Sequence, residues 1–266
     1  MSPSARPGEY CQKIAAAHNS SSTNRVHRCR ASIAPLVAMY QKAAAWLNAG
    51  GIVAPLLWAS TVIYSGGRHP EYSHVRQYIS DLAARGSSTQ HVMQAAGFIL
   101  PGLMTAGFGI LLGRTGGRLA GIASALLIVS GLARAAAGVL VPDPLDHRLP
   151  PSFDERMHDA AGLLYILTLI LAVVTWMIAS ATRPRPSIGF AAYSVVTVVA
   201  ALAAAPALIA AGIATPADVG VFQRAMLGTL NAWILALACV TFVERRYRSA
   251  VLASTSNCRG TLEEVP

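Results

Sequence analysis

Six long apolar blocks dominate the chain, at residues 46–65, 92–113, 119–141, 158–180, 188–212 and 222–243. Each is close to the ~20 residues that carry a helix across a ~30 Å hydrocarbon core. The blocks are continuous rather than alternating, which disfavours strands. A helix satisfies its own backbone hydrogen bonds, as lipid cannot. The predicted fold is all-α: an integral membrane bundle of six transmembrane helices within 41–247, with tails at 1–40 and 248–266. The first tail is either disordered or precedes a translation start at Met39; the second is disordered. Runs such as "AALAAAPALIAAG" supply small residues for close helix packing, and Pro55, Pro101 and Pro206 should kink their spans.

Between the first two blocks lies a dense polar segment, "YSHVRQYISDLAARGS", residues 72–87. Val75, Ile79 and Leu82 fall at i, i+4 and i+7, and Asp81 and Arg85 form an i,i+4 acid-to-base pair. Ser73 can cap the start and Gly86 the stop. This spacing predicts a short amphipathic interfacial helix after the first span.

Composition agrees with a bilayer. The chain is 54% hydrophobic and 12% charged, against about 25% charged for a soluble domain. Its net charge of +9 sits in short clusters flanking the spans, as membrane orientation requires, and six spans exclude a soluble nucleic-acid binder. Of 21 Lys and Arg, 14 fall in the two tails and the second and fourth connections. The positive-inside rule makes that side cytoplasmic, in a plasma membrane, with both termini inside. Eight of 12 acids and five of seven histidines then lie on the outer side. The four cysteines make no C-x-x-C pair and no zinc spacing.

A second polar cluster, "VPDPLDHRLPPSFDERMHDAAG" (141–162), carries Asp143, Asp146, His147, Asp154, Glu155, His158 and Asp159. Acids at a helix start are favoured by its dipole, so most of these need no function. His158 and Asp143 stand out because they lie where the loop meets a span. Arg134 falls ~10 Å below the outer end of its helix at 1.5 Å per residue. It must either snorkel to headgroups or pair with Asp81, Asp143 or Asp159. Arg224, at the outer end of the last span, and Asn231, two turns deeper, suggest an outward polar pocket in which Arg134 and Arg224 hold a lipid phosphate or carboxylate.

"YSHVRQYISDLAARGS" resembles the signature of the bacterial multipass membrane family catalogued as domain of unknown function 998. The similarity continues through "VPDP" (141–144), "MHDAAG" (157–162) and "VFQR" (221–224), covering about residues 45–245. It implies a six-span membrane protein and no established activity. The residues leave two readings. One is an outward-facing site binding a lipid or small solute. The other is a membrane-embedded hydrolase acting on a lipid or amide, with Ser73, His74, Ser80, Asp81, Asp143 and His158 as catalytic candidates. Their layout is similar to that of the transmembrane hydrolases that include alkaline ceramidases, which use Ser, Asp and several His around a metal. This chain has no histidine after His158, where those proteins carry H-x-x-x-H. No cofactor is expected under the first reading; zinc enters only under the second, on His74, His91, His147 or His158.

Overall fold

A computed structural model describes residues 7–70, 72–115, 117–144, 150–182, 188–214 and 218–263, with side chains over 38–247 of these less 115, 208 and 211–214. The described residues are all helix, turn and loop. The helices are α1 (Pro7–Arg68), α2 (Gln90–Leu112), α3 (Arg118–Val139), α4 (Phe153–Ala181), α5 (Ile188–Ala214) and α6 (Val219–Glu263). The chain divides into two compact units, Met1–Trp46 and Leu47–Pro266. Among the described residues six stretches are long and apolar enough to cross a membrane: Ala38–Arg68, Gln90–Leu112, Arg118–Val139, Phe153–Ala181, Ile188–Ala207 and Val219–Tyr247.

Exposed apolar stripes explain why these helices suit lipid. Leu163, Leu164, Leu167 and Leu171 on α4, and Val195, Val196 and Val199 on α5, all face outward. In water such surface costs about 25 cal/mol per Å², whereas lipid tails accept it freely.

The interior is joined by small residues and polar bonds. A methyl group built on Gly102 of α2 would lie 2.5 Å from Gly131 O, and one on Gly131 of α3 would lie 2.5 Å from Ala106 N. The two backbones therefore touch where only glycine fits. Ser130 Oγ bonds Tyr165 O at 3.0 Å between α3 and α4, and Trp233 Nε1 bonds Ser194 Oγ at 2.9 Å between α6 and α5. Thr241 Oγ1 donates to Asn48 Oδ1 at 2.9 Å between α6 and α1.

Within α2, residues Met93–Ile99 widen to a π-helix just before Pro101. Proline has no N–H, so the carbonyl four residues earlier, Gly97, loses its α-helical donor. That local defect positions the site described next.

The 72–87 segment is not the continuous interfacial helix that its spacing suggests. It forms a turn closed by Gln77 N to Ser73 O at 3.0 Å, then one 3-10 turn, Ser80–Ala83. Long-range bonds replace helical ones: Ile79 N donates to Gln223 Oε1 at 2.6 Å, and Arg85 N to Pro142 O at 2.8 Å. Ile79, Leu82, Ala83 and Ala84 are buried while Val75 is exposed, so the segment plugs into the bundle end. Arg85 pairs with Asp154 at 3.2 Å, not with Asp81. Gly86 has φ +84°, but the helical turn ends before it, with Ala84 as its C-cap.

Candidate functional site

The start of α4 builds one wall. Ser152 Oγ caps it by accepting from Glu155 N at 3.2 Å. The Asp143 carboxylate accepts from Ser152 N at 2.8 Å, and the Glu155 carboxylate accepts from Asp143 N at 2.6 Å. These bonds tie Asp143 and Ser152 to the start of the helix. One turn on, His158 Nδ1 lies 2.8 Å from Ala137 O and 3.2 Å from Leu140 O. Both partners are carbonyls, so Nδ1 carries the hydrogen. His158 thereby satisfies orphan carbonyls at the end of α3.

His158, Gly162 and Tyr165 are spaced i, i+4, i+7, one face of α4, and all three line a cavity of about 400 Å³. Trp58, Phe98, Arg134 and Gln223 close it from the other helices, and Tyr78, Ser80 and Asp81 from the plug. Glu155 and Asp159 complete an acidic rim. The volume falls in the range of small-molecule sites, roughly 300–1,000 Å³.

Arg134 is the buried charge of this cavity, 2% exposed. Among the described residues it forms no ion pair, and its guanidinium is buried rather than drawn to the surface. Its Nη1 donates to Asn231 Oδ1 at 3.1 Å and its Nη2 to Gly97 O at 2.9 Å, the carbonyl that Pro101 leaves short of a donor. Asn231 Nδ2 in turn donates to Tyr165 OH at 3.2 Å. The guanidinium also lies 5.5 Å from the Tyr165 ring centre and 5.8 Å from that of Trp58. Every partner is neutral, so the positive charge is solvated but uncompensated.

At the rim the sign reverses. Burial pushes the Asp81 carboxyl up to about 6, and repulsion from Glu155 adds to the rise. The Tyr78 N–H that Asp81 Oδ2 accepts at 2.9 Å, and the more distant Arg224, oppose it.

Arg224 works elsewhere. Its Nη1 donates to Gln77 O and Gly220 O, each at 2.9 Å, and its Nη2 to Tyr72 OH. The Tyr72 OH donates onward to Tyr78 O at 2.9 Å. Burial lifts the Tyr72 hydroxyl to about 12 despite Arg224. His74, edge-on to Tyr72 at 5.2 Å, is held below its ordinary value by burial and by Arg224. This group pins the plug to α6.

Of the residues singled out from sequence, Ser80, Asp81, His158 and Arg134 converge on the cavity. Ser73 lies in the turn above it, accepting a backbone bond from Arg76 at 3.4 Å. His74 and Arg224 belong to the Tyr72 group, and Asp143 is tied to the start of α4. Asp146 and His147 lie outside the described residues. Among the described residues no three His, Cys, Asp or Glu side chains gather as a metal site would need. Sequence reasoning missed Trp58, Tyr165 and Gln223 as site residues. Aromatics inside apolar runs carry no signal alone, but Tyr165 shares the His158 face, and Gln223 sits in the "VFQR" block.

A family model described as Protein of unknown function (DUF998) matches residues 52–240. The chain belongs to this family. The DUF998 region takes in every residue lining the cavity, from Trp58 to Leu227. No curated protein and no solved structure matches the chain.

Proposed function

We propose that this DUF998 protein binds a lipid or small solute in an outward-facing cavity, without turning it over. Its termini are cytoplasmic, following the distribution of Lys and Arg. The observation that carries the reading is the buried Arg134 lining a cavity of about 400 Å³ with only neutral partners. An uncompensated guanidinium beside free volume is a receptor for an anionic group. The cavity adjoins the plug and the α4 start, which belong to the connections placed outside by the charge count.

Gly162 offers the test. It lines the cavity, and a methyl group built on it meets nothing within 4 Å. Gly162→Phe therefore adds bulk at the cavity wall from a Cβ that meets no neighbouring atom. Native mass spectrometry of detergent-purified protein should show a bound small molecule or lipid on the wild type and not on G162F. Identical spectra would remove the reading.

A hydrolase remains the second reading, because Ser80, Asp81 and His158 line the same cavity. Turnover of a lipid and amide panel, lost in both S80A and H158A, would favour it. An inactive wild type would discard it.

A further inference from the structure

The cavity carries charges of both signs at two depths. Arg134 stacks on Tyr165, which lies six residues beyond Asp159 on α4, about 9 Å along the axis at 1.5 Å per residue. Asp81 of the plug and Glu155 and Asp159 of the α4 start line the same cavity. No salt bridge joins the two sets; the one ion pair among the described residues is Arg85 with Asp154. Asp81, Glu155 and Arg134 are held by neutral hydrogen-bond partners, and among the described residues neither set has a counter-ion.

Resting on the binding reading above, we propose that the ligand is a zwitterion, with its anionic group on Arg134 and its ammonium among Asp81, Glu155 and Asp159. An anion alone would leave Asp81, Glu155 and Asp159 without a counter-charge in the cavity they line. A cation alone would leave the guanidinium uncompensated. A ligand bearing both, one short linker apart, answers each.

The order of groups fits a headgroup such as phosphoethanolamine, phosphate deep and amine at the rim. Leu163 lines the cavity while 58% exposed on the lipid-facing side of α4, so an attached acyl chain has a way out. A free amino-phosphate or amino acid carries the same chemistry without the chain.

The test is calorimetric titration of the full chain in detergent with O-phosphoethanolamine, inorganic phosphate and ethanolamine, each against wild type, Asp159→Asn and Arg134→Lys. Asp159 is exposed, so D159N leaves the fold intact, and R134K keeps the buried charge. Phosphoethanolamine should bind at least tenfold tighter than either half. D159N should erase most of its advantage over phosphate. A short-chain phosphatidylethanolamine binding tenfold tighter still assigns the site to lipid, whereas equal binding assigns it to a free solute. Phosphate binding as tightly as phosphoethanolamine, or an unchanged ratio in D159N, overturns the zwitterion but leaves an anion-binding cavity. No heat from any probe, with native mass spectra of wild type and G162F identical, overturns both.

Discussion

Arg134 supplies the hydrogen bond that Pro101 withholds. The proline lacks an N–H for Gly97 O, and Arg134 Nη2 reaches that carbonyl at 2.9 Å from the neighbouring helix. The same guanidinium holds Asn231 Oδ1 of α6 and stacks on Tyr165 of α4 and Trp58 of α1. One side chain thus ties the wide turn of α2 to three other helices.

Replacing Arg134 by Met strands two buried acceptors. Each unsatisfied group costs about 1–3 kcal/mol, so R134M should lose roughly 2–6 kcal/mol by thermal or denaturant unfolding in detergent. Asn231→Leu removes one stranded acceptor, so the double variant should lose less than the sum of the single losses. Strict additivity would mean that the two side chains do not couple.

The Asp81 carboxyl titrates upward on folding, from 3.8 to about 6. Between those values the folded state binds more protons than the unfolded, so this group's contribution to stability falls as pH rises from about 4 to 6. His74 is depressed and acts oppositely, costing stability as pH falls. The Asp81 contribution is therefore the difference between wild type and D81N across pH 4–7. Wild type should gain relative to D81N on acidification, by up to about 3 kcal/mol at 1.36 kcal/mol per pKa unit. Parallel curves would place Asp81 in solvent.

The contact between α2 and α3 depends on glycine. Gly131→Val would push a side chain into Ala106 N and Gly102 O, both backbone atoms. Overpacking of this kind costs about 1–3 kcal/mol or more, because backbone cannot rotate away. Gly121, on the same helix, meets nothing within 4 Å, so G121A should be neutral or stabilising. Comparable melting temperatures for G131V and G121A would contradict the packing.

Arg224 fastens the plug through the Gln77 carbonyl and the Tyr72 hydroxyl. In R224A, amides of 72–84 should exchange faster in deuterium while those of α3 and α4 stay protected, a local opening rather than global unfolding. Uniform loosening would assign Arg224 to the bundle as a whole. Arg85→Ala breaks an exposed pair with Asp154 and should change stability by less than about 1 kcal/mol.

The spans were legible because lipid imposes one solution on long apolar blocks. That Arg134 sits inside a span is legible too, but its partners are not. They are a carbonyl left short by a proline on another helix and an asparagine on a third, neither of which carries charge. The plug was misread as a helix because its i, i+4, i+7 stripe is real while its backbone partners, Gln223 and Pro142, lie far along the chain. His158 and Asp81 were flagged from sequence, and the fold brings them to one cavity. Asp143, flagged beside them, is tied to the start of α4 instead.

The most direct test of the central claim is the accessibility of a cysteine at Ser80, which lines the cavity. With Cys11, Cys29, Cys239 and Cys258 changed to Ser, S80C in intact cells is exposed to a membrane-impermeant methanethiosulfonate, with and without excess phosphoethanolamine. An outward-facing binding cavity predicts labelling from outside and protection by the ligand. Labelling only after permeabilisation would contradict the orientation, and unprotected labelling would contradict the binding.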